Sequence, residues 1–147
     1  MSTANEVLRI LRDRRSIRRY RPEQVSESDL EAILVGGLWA ASGRNIQSTV
    51  LVVIQDPETL AFLSKRNAQI EGKDGIDPFY GAPTVIAVLA DAGHYNWLRD
   101  GSLVMGNLMI AAAASGVGSC WINRAIEFFD MPDGAALVKK WGLPSNM

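Results

Sequence analysis

The sequence predicts an α+β fold in which a few central strands are covered by helices on both faces. Two short runs, TVLVVIQ at 49–55 and TVIAVLA at 84–90, are continuously apolar and rich in β-branched residues, as strands buried on both faces are. Segments with helical spacing precede, separate and follow them. A chain of 147 residues has room for one core, so a single domain over 1–147 is expected.

Taken in order, residues 5–12 carry Val7, Leu8 and Leu11 on one helical stripe. Pro22 interrupts the pattern. Ser26 followed three residues later by Asp29 resembles a capping box, and Leu30, Ile33, Leu34, Leu38 and Trp39 form the apolar stripe behind it, with Gly43 at or just past the end. After the first strand, Asp56 and Pro57 suit an N-cap and first helical turn, predicting a helix to about residue 67. Residues 69–81 contain Gly72, Gly75, Pro78 and Gly81 among charges and read as a long loop. Asn96 is positioned to cap a helix over 97–115, stopped by Gly116. This helix is apolar around most of its circumference, which suits burial or a subunit interface. A third strand is predicted over 118–123 and a last helix over 133–141.

Composition sets limits on function. Hydrophobic residues make up 48% and charged residues 21%, and the formal net charge is -1, so no whole-molecule field draws the chain to nucleic acid or an acidic membrane. Cys120 is the one cysteine and His94 the one histidine, which leaves no disulfide framework and no zinc-type ligand set. No run of eighteen apolar residues exists, so no membrane span is expected. The opening MSTANEVLRI lacks the apolar stretch of a signal peptide, which sets a cytoplasmic location as the expectation.

The densest chemical signal is RDRRSIRRYR at 12–21, with six of the chain's fifteen Lys+Arg in ten positions. Arginine's planar fork binds phosphate bidentately, and Ser16 adds a hydroxyl donor. Taken alone, the segment suits a solvated, ion-paired surface as well as an anion site. An interaction module binding nucleic acid or protein through these arginines is a further reading, which the slightly acidic total charge disfavours. GVGS at 116–119 lacks the third glycine and the preceding strand of a dinucleotide fingerprint. Cys120 reads as a small hydrophobe, His94 as a loop residue, and Asp100 as a structural hydrogen-bonding or interface residue.

Four segments in order resemble the FMN-dependent nitroreductase family: RRSIRRY at 14–20, ASGRNIQSTVLVV at 41–53, FYGAPTVIAVLA at 79–90 and WLRDGSLVMGNLMIAAAASGVGSCWI at 97–122. The resemblance implies a three-layer sandwich, a central mixed sheet flanked by helices, in a homodimer with the flavin site at its interface. It implies FMN as cofactor, with Arg14, Arg15, Ser16 and Arg18 on the phosphate and ribityl chain. Ser42, Asn45 and Gln47 would serve the ring across the interface, and Gly118 and Ser119 would lie near it. NADH or NADPH would reduce the flavin at N5, and electrons would pass to a nitroaromatic, a quinone or a similar acceptor. No catalytic side chain and no metal is required, because the flavin carries the chemistry. Phe79, Tyr80 and Trp97 are candidate aromatic walls, with core packing the expected role for at least two. A non-catalytic FMN-binding protein, for sensing or storage, is the alternative the same residues allow.

The chain departs from the family pattern in two places. The family's proline before the serine is Ala41 here, and its Pro-Trp after the glutamine is Ser48-Thr49. The chain also reads to WGLPSNM without the further strand and basic tail usual in the family, so that strand is expected to be missing from the sheet.

Overall fold

The computed structural model describes residues 5–147. It contains α1 (Glu6–Asp13), α2 (Glu27–Leu38), a 3-10 turn (Gly43–Asn45), β1 (Thr49–Ile54), α3 (Pro57–Glu71), β2 (Val85–Ala90), α4 (Trp97–Ala114), α5 (Ala125–Phe129) and α6 (Pro132–Lys140).

The predicted caps Ser26 and Asp56 form, Asn5 adds one not expected from the sequence, and Asn96 precedes α4 as expected but makes no side-chain bond to it. Asn5 Oδ1 accepts from the N–H of Val7 and Leu8. Ser26 Oγ accepts from the Asp29 N–H at 3.1 Å and donates to the Asp29 carboxylate at 2.6 Å, so the box closes through side chains. Asp56 accepts from both the N–H and the hydroxyl of Thr59, and Pro57 occupies the first turn. The third helix runs to Glu71, four residues beyond its expected end. Left-handed Gly72 stops it, and the loop predicted from residue 69 begins only there.

β1 and β2 pair antiparallel, with Ile54 opposite Val85 and Thr49 opposite Ala90. Their side chains alternate between two cores, which makes three layers. Leu51, Ile86 and Val88 pack on one face with Ile33, Val104 and Leu108 of α2 and α4. Val52, Ile54, Val85 and Ala87 pack on the other with Leu63, Phe128 and Leu137 of α3, α5 and α6. The layers are those predicted, but the sheet is a two-stranded antiparallel one, not the mixed sheet expected.

The third strand requires correction. Residues 118–123 are not a named strand, and their ladder is a single parallel bridge between Ser16 and Ser119, with the Ile17 N–H donating to the Ser119 carbonyl at 2.9 Å. A strand needs a neighbour at about 4.8 Å. Instead, a cavity of about 990 Å³ lies between this segment and β2, lined by consecutive residues 82–88 and 116–129. Consecutive strand residues point to opposite faces, so a cavity touching all of them follows the edge of β2. The helix α5, over AIEFF, was not foreseen: five residues carry too little periodicity to register.

Helices α2 and α4 pack closely. A Cβ on Gly36 would stand 2.6 Å from the Ala111 Cβ, and one on Gly37 2.5 Å from the Leu108 Cδ2. Asn107 donates across the contact to the Gly36 carbonyl at 3.2 Å. Among the described residues no helix is long and apolar enough to cross a membrane.

Two predictions follow from this packing and capping. Gly37→Val should destabilise the fold by about 1–3 kcal/mol through overpacking, read as a lower urea midpoint at unchanged slope. For Asp56, the Thr59 hydroxyl and N–H hold the carboxyl below the usual aspartate range. Its contribution is therefore full above about pH 4 and lost as pH falls through the folded value. Asp56→Ala should lower the urea midpoint at neutral pH, and the gap to wild type should close on acidification.

Candidate functional site

The predicted residues fall into two groups. Helix α1 ends at Asp13, and the chain then runs extended through Arg14, Arg15 and Ser16 beside Gly118 and Ser119. Ile17 packs against Gly118, 3.1 Å from where a Cβ would be. A cavity of about 450 Å³ opens here, lined by Arg14, Arg15 and residues 116–119. The first and last predicted segments, a hundred residues apart in sequence, therefore form one surface.

The charge at this surface is unbalanced. Arg9 pairs with Glu6, and Arg12 pairs with Asp13 at 2.9 Å, which holds the Asp13 carboxyl below its ordinary range. Among the described residues, Arg14, Arg15 and Arg18 make no ion pair. Arg14 Nη1 is buried without a hydrogen-bond partner. A buried guanidinium N–H without an acceptor is costly, so this atom marks a place suited to an anion. Arg15 is placed differently: its Nη1 donates to the carbonyls of Arg12 and Arg14 at 2.6 and 2.8 Å, capping the end of α1. Ser16 and Arg18 are exposed. Tyr20 donates to the Ile17 carbonyl and fastens the segment from below. Burial, and then the nearby Cys120, pushes the Tyr20 hydroxyl up to about 12, so it stays a donor across neutral pH.

Ser42, Asn45 and Gln47 form the second group, on the loop between α2 and β1. Arg44, Asn45 and Gln47 have φ of 55°, 57° and 51°, the left-handed region that non-glycine residues avoid. Such strain persists only where surroundings hold it, and it concentrates at functional sites. Here Ser42 Oγ accepts from the Gln47 N–H at 3.0 Å, and the Asp100 carboxylate accepts from the Gly43 N–H at 2.9 Å. Ser42 thus ties the loop together, while Asn45 and Gln47 are exposed at its tip. Ser48, noticed in the sequence only as a departure from Pro-Trp, has a buried Oγ without a partner. Three side-chain atoms are in that state among the described residues, and Arg14 and Ser48 hold two of them, one in each group.

The two groups do not meet within one copy. Gly43 is bonded to the first turn of α4, whereas residues 116–119 follow its last. The 18 residues of α4 span about 27 Å at 1.5 Å per residue.

Of the aromatic candidates, Phe79 packs in the core with Leu63 and Phe128, Trp97 is half-buried on the larger cavity, and Tyr80 is exposed with φ 55°. Asp100 is the structural hydrogen-bonding residue expected of it. His94 lies in a loop, its Nε2 3.3 Å from Asp91. Cys120 is half-buried and donates weakly to the Trp121 carbonyl.

A family model described as the nitroreductase family matches residues 11–74. A protein of Archaeoglobus fulgidus named as an NADH dehydrogenase/NAD(P)H nitroreductase is 32% identical over 145 residues, which is 97% of this chain and 79% of that protein. A similarly named protein of Methanothermobacter thermautotrophicus is 26% identical over 79% of this chain and 60% of its own length. The crystal structure of a nitroreductase with bound FMN from Bacteroides fragilis superposes with a TM-score of 0.88 at 28% identity, over 97% of this chain and 83% of that one. With the three-layer fold and the order of the four segments, these matches place the chain in the nitroreductase family.

Proposed function

We propose that the protein is an NAD(P)H-dependent FMN oxidoreductase whose flavin sites are assembled from two copies of the chain. The buried, unpartnered Arg14 Nη1 beside the backbone of residues 116–119 carries this reading. A phosphate dianion supplies the acceptor that this atom lacks, and Ser16 and Arg18 lie next to it in sequence. The FMN in the Bacteroides fragilis structure supports the same cofactor, and the relatives' names support NADH or NADPH as the reductant.

Bound FMN would supply the redox chemistry, taking a hydride from NADH or NADPH at N5 and giving two electrons to a nitroaromatic or quinone. The chain's own residues do the placing. Arg14 and Arg18 neutralise the phosphate. Gly118 and Ser119 offer close backbone. Asn45 and Gln47 present amides that match the donors and acceptors of the ring's pyrimidine edge.

Two copies are invoked because the phosphate group of residues and the amide group stand at opposite ends of α4. Helix α1 has no buried residue, and its stripe of Val7, Leu8 and Leu11 is exposed, as are Val35, Leu38 and Trp39 at the end of α2. Apolar surface of that extent suits a subunit interface.

The purified protein should be yellow or turn yellow with FMN, and should oxidise NADH or NADPH with a nitroaromatic or quinone. A colourless protein that ignores added FMN overturns the reading, and flavin that neither nicotinamide reduces favours a storage or sensing role. Arg14→Ala should weaken FMN binding by about tenfold to a hundredfold, the loss of a charge-assisted hydrogen bond of about 1.5–3 kcal/mol. Sharing of the site is tested by mixing. Arg14→Ala and Asn45→Ala proteins, each flavin-poor, should recover about a quarter of the wild-type flavin once subunits exchange, because half the dimers are mixed and each mixed dimer has one intact site. No recovery despite exchange would place both residues on the same copy's site.

A further inference from the structure

We infer that Asp100 is a positioning residue for the flavin: its buried carboxylate holds the strained loop that presents Asn45 and Gln47. The inference rests on the proposed FMN site, and it assigns a role to a side chain outside the four segments' expected flavin contacts.

Asp100 is 4% exposed and lies in the first turn of α4. An ionised group at that depth is unfavourable unless bonded or favourably placed in a field. Two features provide for it. The Gly43 N–H donates to Oδ1 at 2.9 Å, and the N-terminal turn of a helix favours negative charge. Gly43 opens the 3-10 turn, and the next residues, Arg44, Asn45 and Gln47, all have positive φ. Each such residue is strained and relaxes to ordinary backbone unless something outside the loop forbids it.

Two observations show that α4 forbids it. A Cβ on Gly43 would lie 2.2 Å from the Asn96 Nδ2, so the loop is pressed onto the start of α4. The loop's other polar bonds, from the Gln47 N–H to Ser42 Oγ and from the Asn45 and Ile46 N–H to the Ser42 and Gly43 carbonyls, are internal and cannot fix its position relative to the fold. The Asp100 bond spans 57 residues in sequence and joins the loop to the rigid helix. Without an acceptor at this place, the loop keeps its internal turn but loses its station, and the amides of Asn45 and Gln47 lose their aim.

Three variants test this in the full-length chain: Asp100→Asn, which keeps an acceptor oxygen; Asp100→Leu, which keeps the buried volume without one; and Asp100→Ala. FMN affinity is read by flavin fluorescence titration, apo-protein stability by thermal unfolding, and loop order by amide exchange at residues 43–47. Asp100→Asn should bind FMN within about threefold of wild type, and Asp100→Leu about tenfold or more weakly with little change in apo melting, a tenfold change corresponding to about 1.4 kcal/mol. Exchange at Gly43 should rise in Asp100→Leu and not in Asp100→Asn. If Asp100→Ala does not fold, Asp100→Leu carries the test. Wild-type affinity in Asp100→Leu, or equal losses in Leu and Asn, would overturn the inference. If wild type itself binds no FMN, the proposed function fails, while amide exchange in the apo protein still decides whether Asp100 holds the loop.

Discussion

The close contact between α2 and α4 is the constraint on which the rest of the molecule depends. Gly36 and Gly37 let the α2 backbone approach Ala111 and Leu108 with no room for a side chain on either glycine. Once α4 is fixed, its two ends are fixed as well. Its first turn anchors the 42–47 loop through Asp100, and its last delivers residues 116–119 to the extended segment after α1. The sheet between the cores then needs only its alternating side chains, Leu51, Ile86 and Val88 one way and Val52, Ile54 and Ala87 the other. A site divided between the ends of one helix is thus rigid in spacing even though its members are remote in sequence.

Much of this was legible in the sequence where a physical signal is local. Capping at Ser26 and Asp56 is set by side chains within three residues of the helix start, and both form as expected, whereas the expected Asn96 cap makes no side-chain bond. The apolar runs of β1 and β2 announce strands buried on both faces. The failures share the opposite property. Residues 118–123 have the composition of a strand, yet pairing depends on a neighbour, and the neighbour is across a cavity except at Ser16. The end of α3 slipped by four residues because Ala68 to Glu71, half apolar and half polar, continue a helix as readily as they enter a loop, and only Gly72 terminates it.

The candidate site divides in the same way. Residue types named its members: arginines for an anion, amides for an edge of mixed donors and acceptors. Their states came only from the fold. Arg14 and Arg15 are adjacent and chemically identical, yet one keeps a buried unpartnered nitrogen while the other caps α1 with its guanidinium. Nothing in the letters distinguishes them; the direction in which the chain leaves the helix does. Ser48 stands where the family pattern has proline, and its unpartnered hydroxyl becomes visible only when the end of the loop is buried.

Strain is concentrated in the loop on the first turn of α4, and an unsatisfied guanidinium lies beside the residues that follow its last. Three left-handed residues in a span of four, and two of the three buried unpartnered side-chain atoms among the described residues, are conditions that a fold optimised for stability alone would shed. On the proposed reading, one bound ligand would meet both the Arg14 guanidinium and the side chains that the strained loop presents. An anion completes Arg14, and a planar ring edge gives the amides of Asn45 and Gln47 the partners they are held to meet. Because the two groups lie about 27 Å apart along α4, one copy cannot collect both benefits from one ligand. On the proposed reading, association of two copies would bring the unlike ends together and so link assembly to cofactor binding: flavin bridging the interface would stabilise the dimer by the same free energy by which the dimer would stabilise flavin.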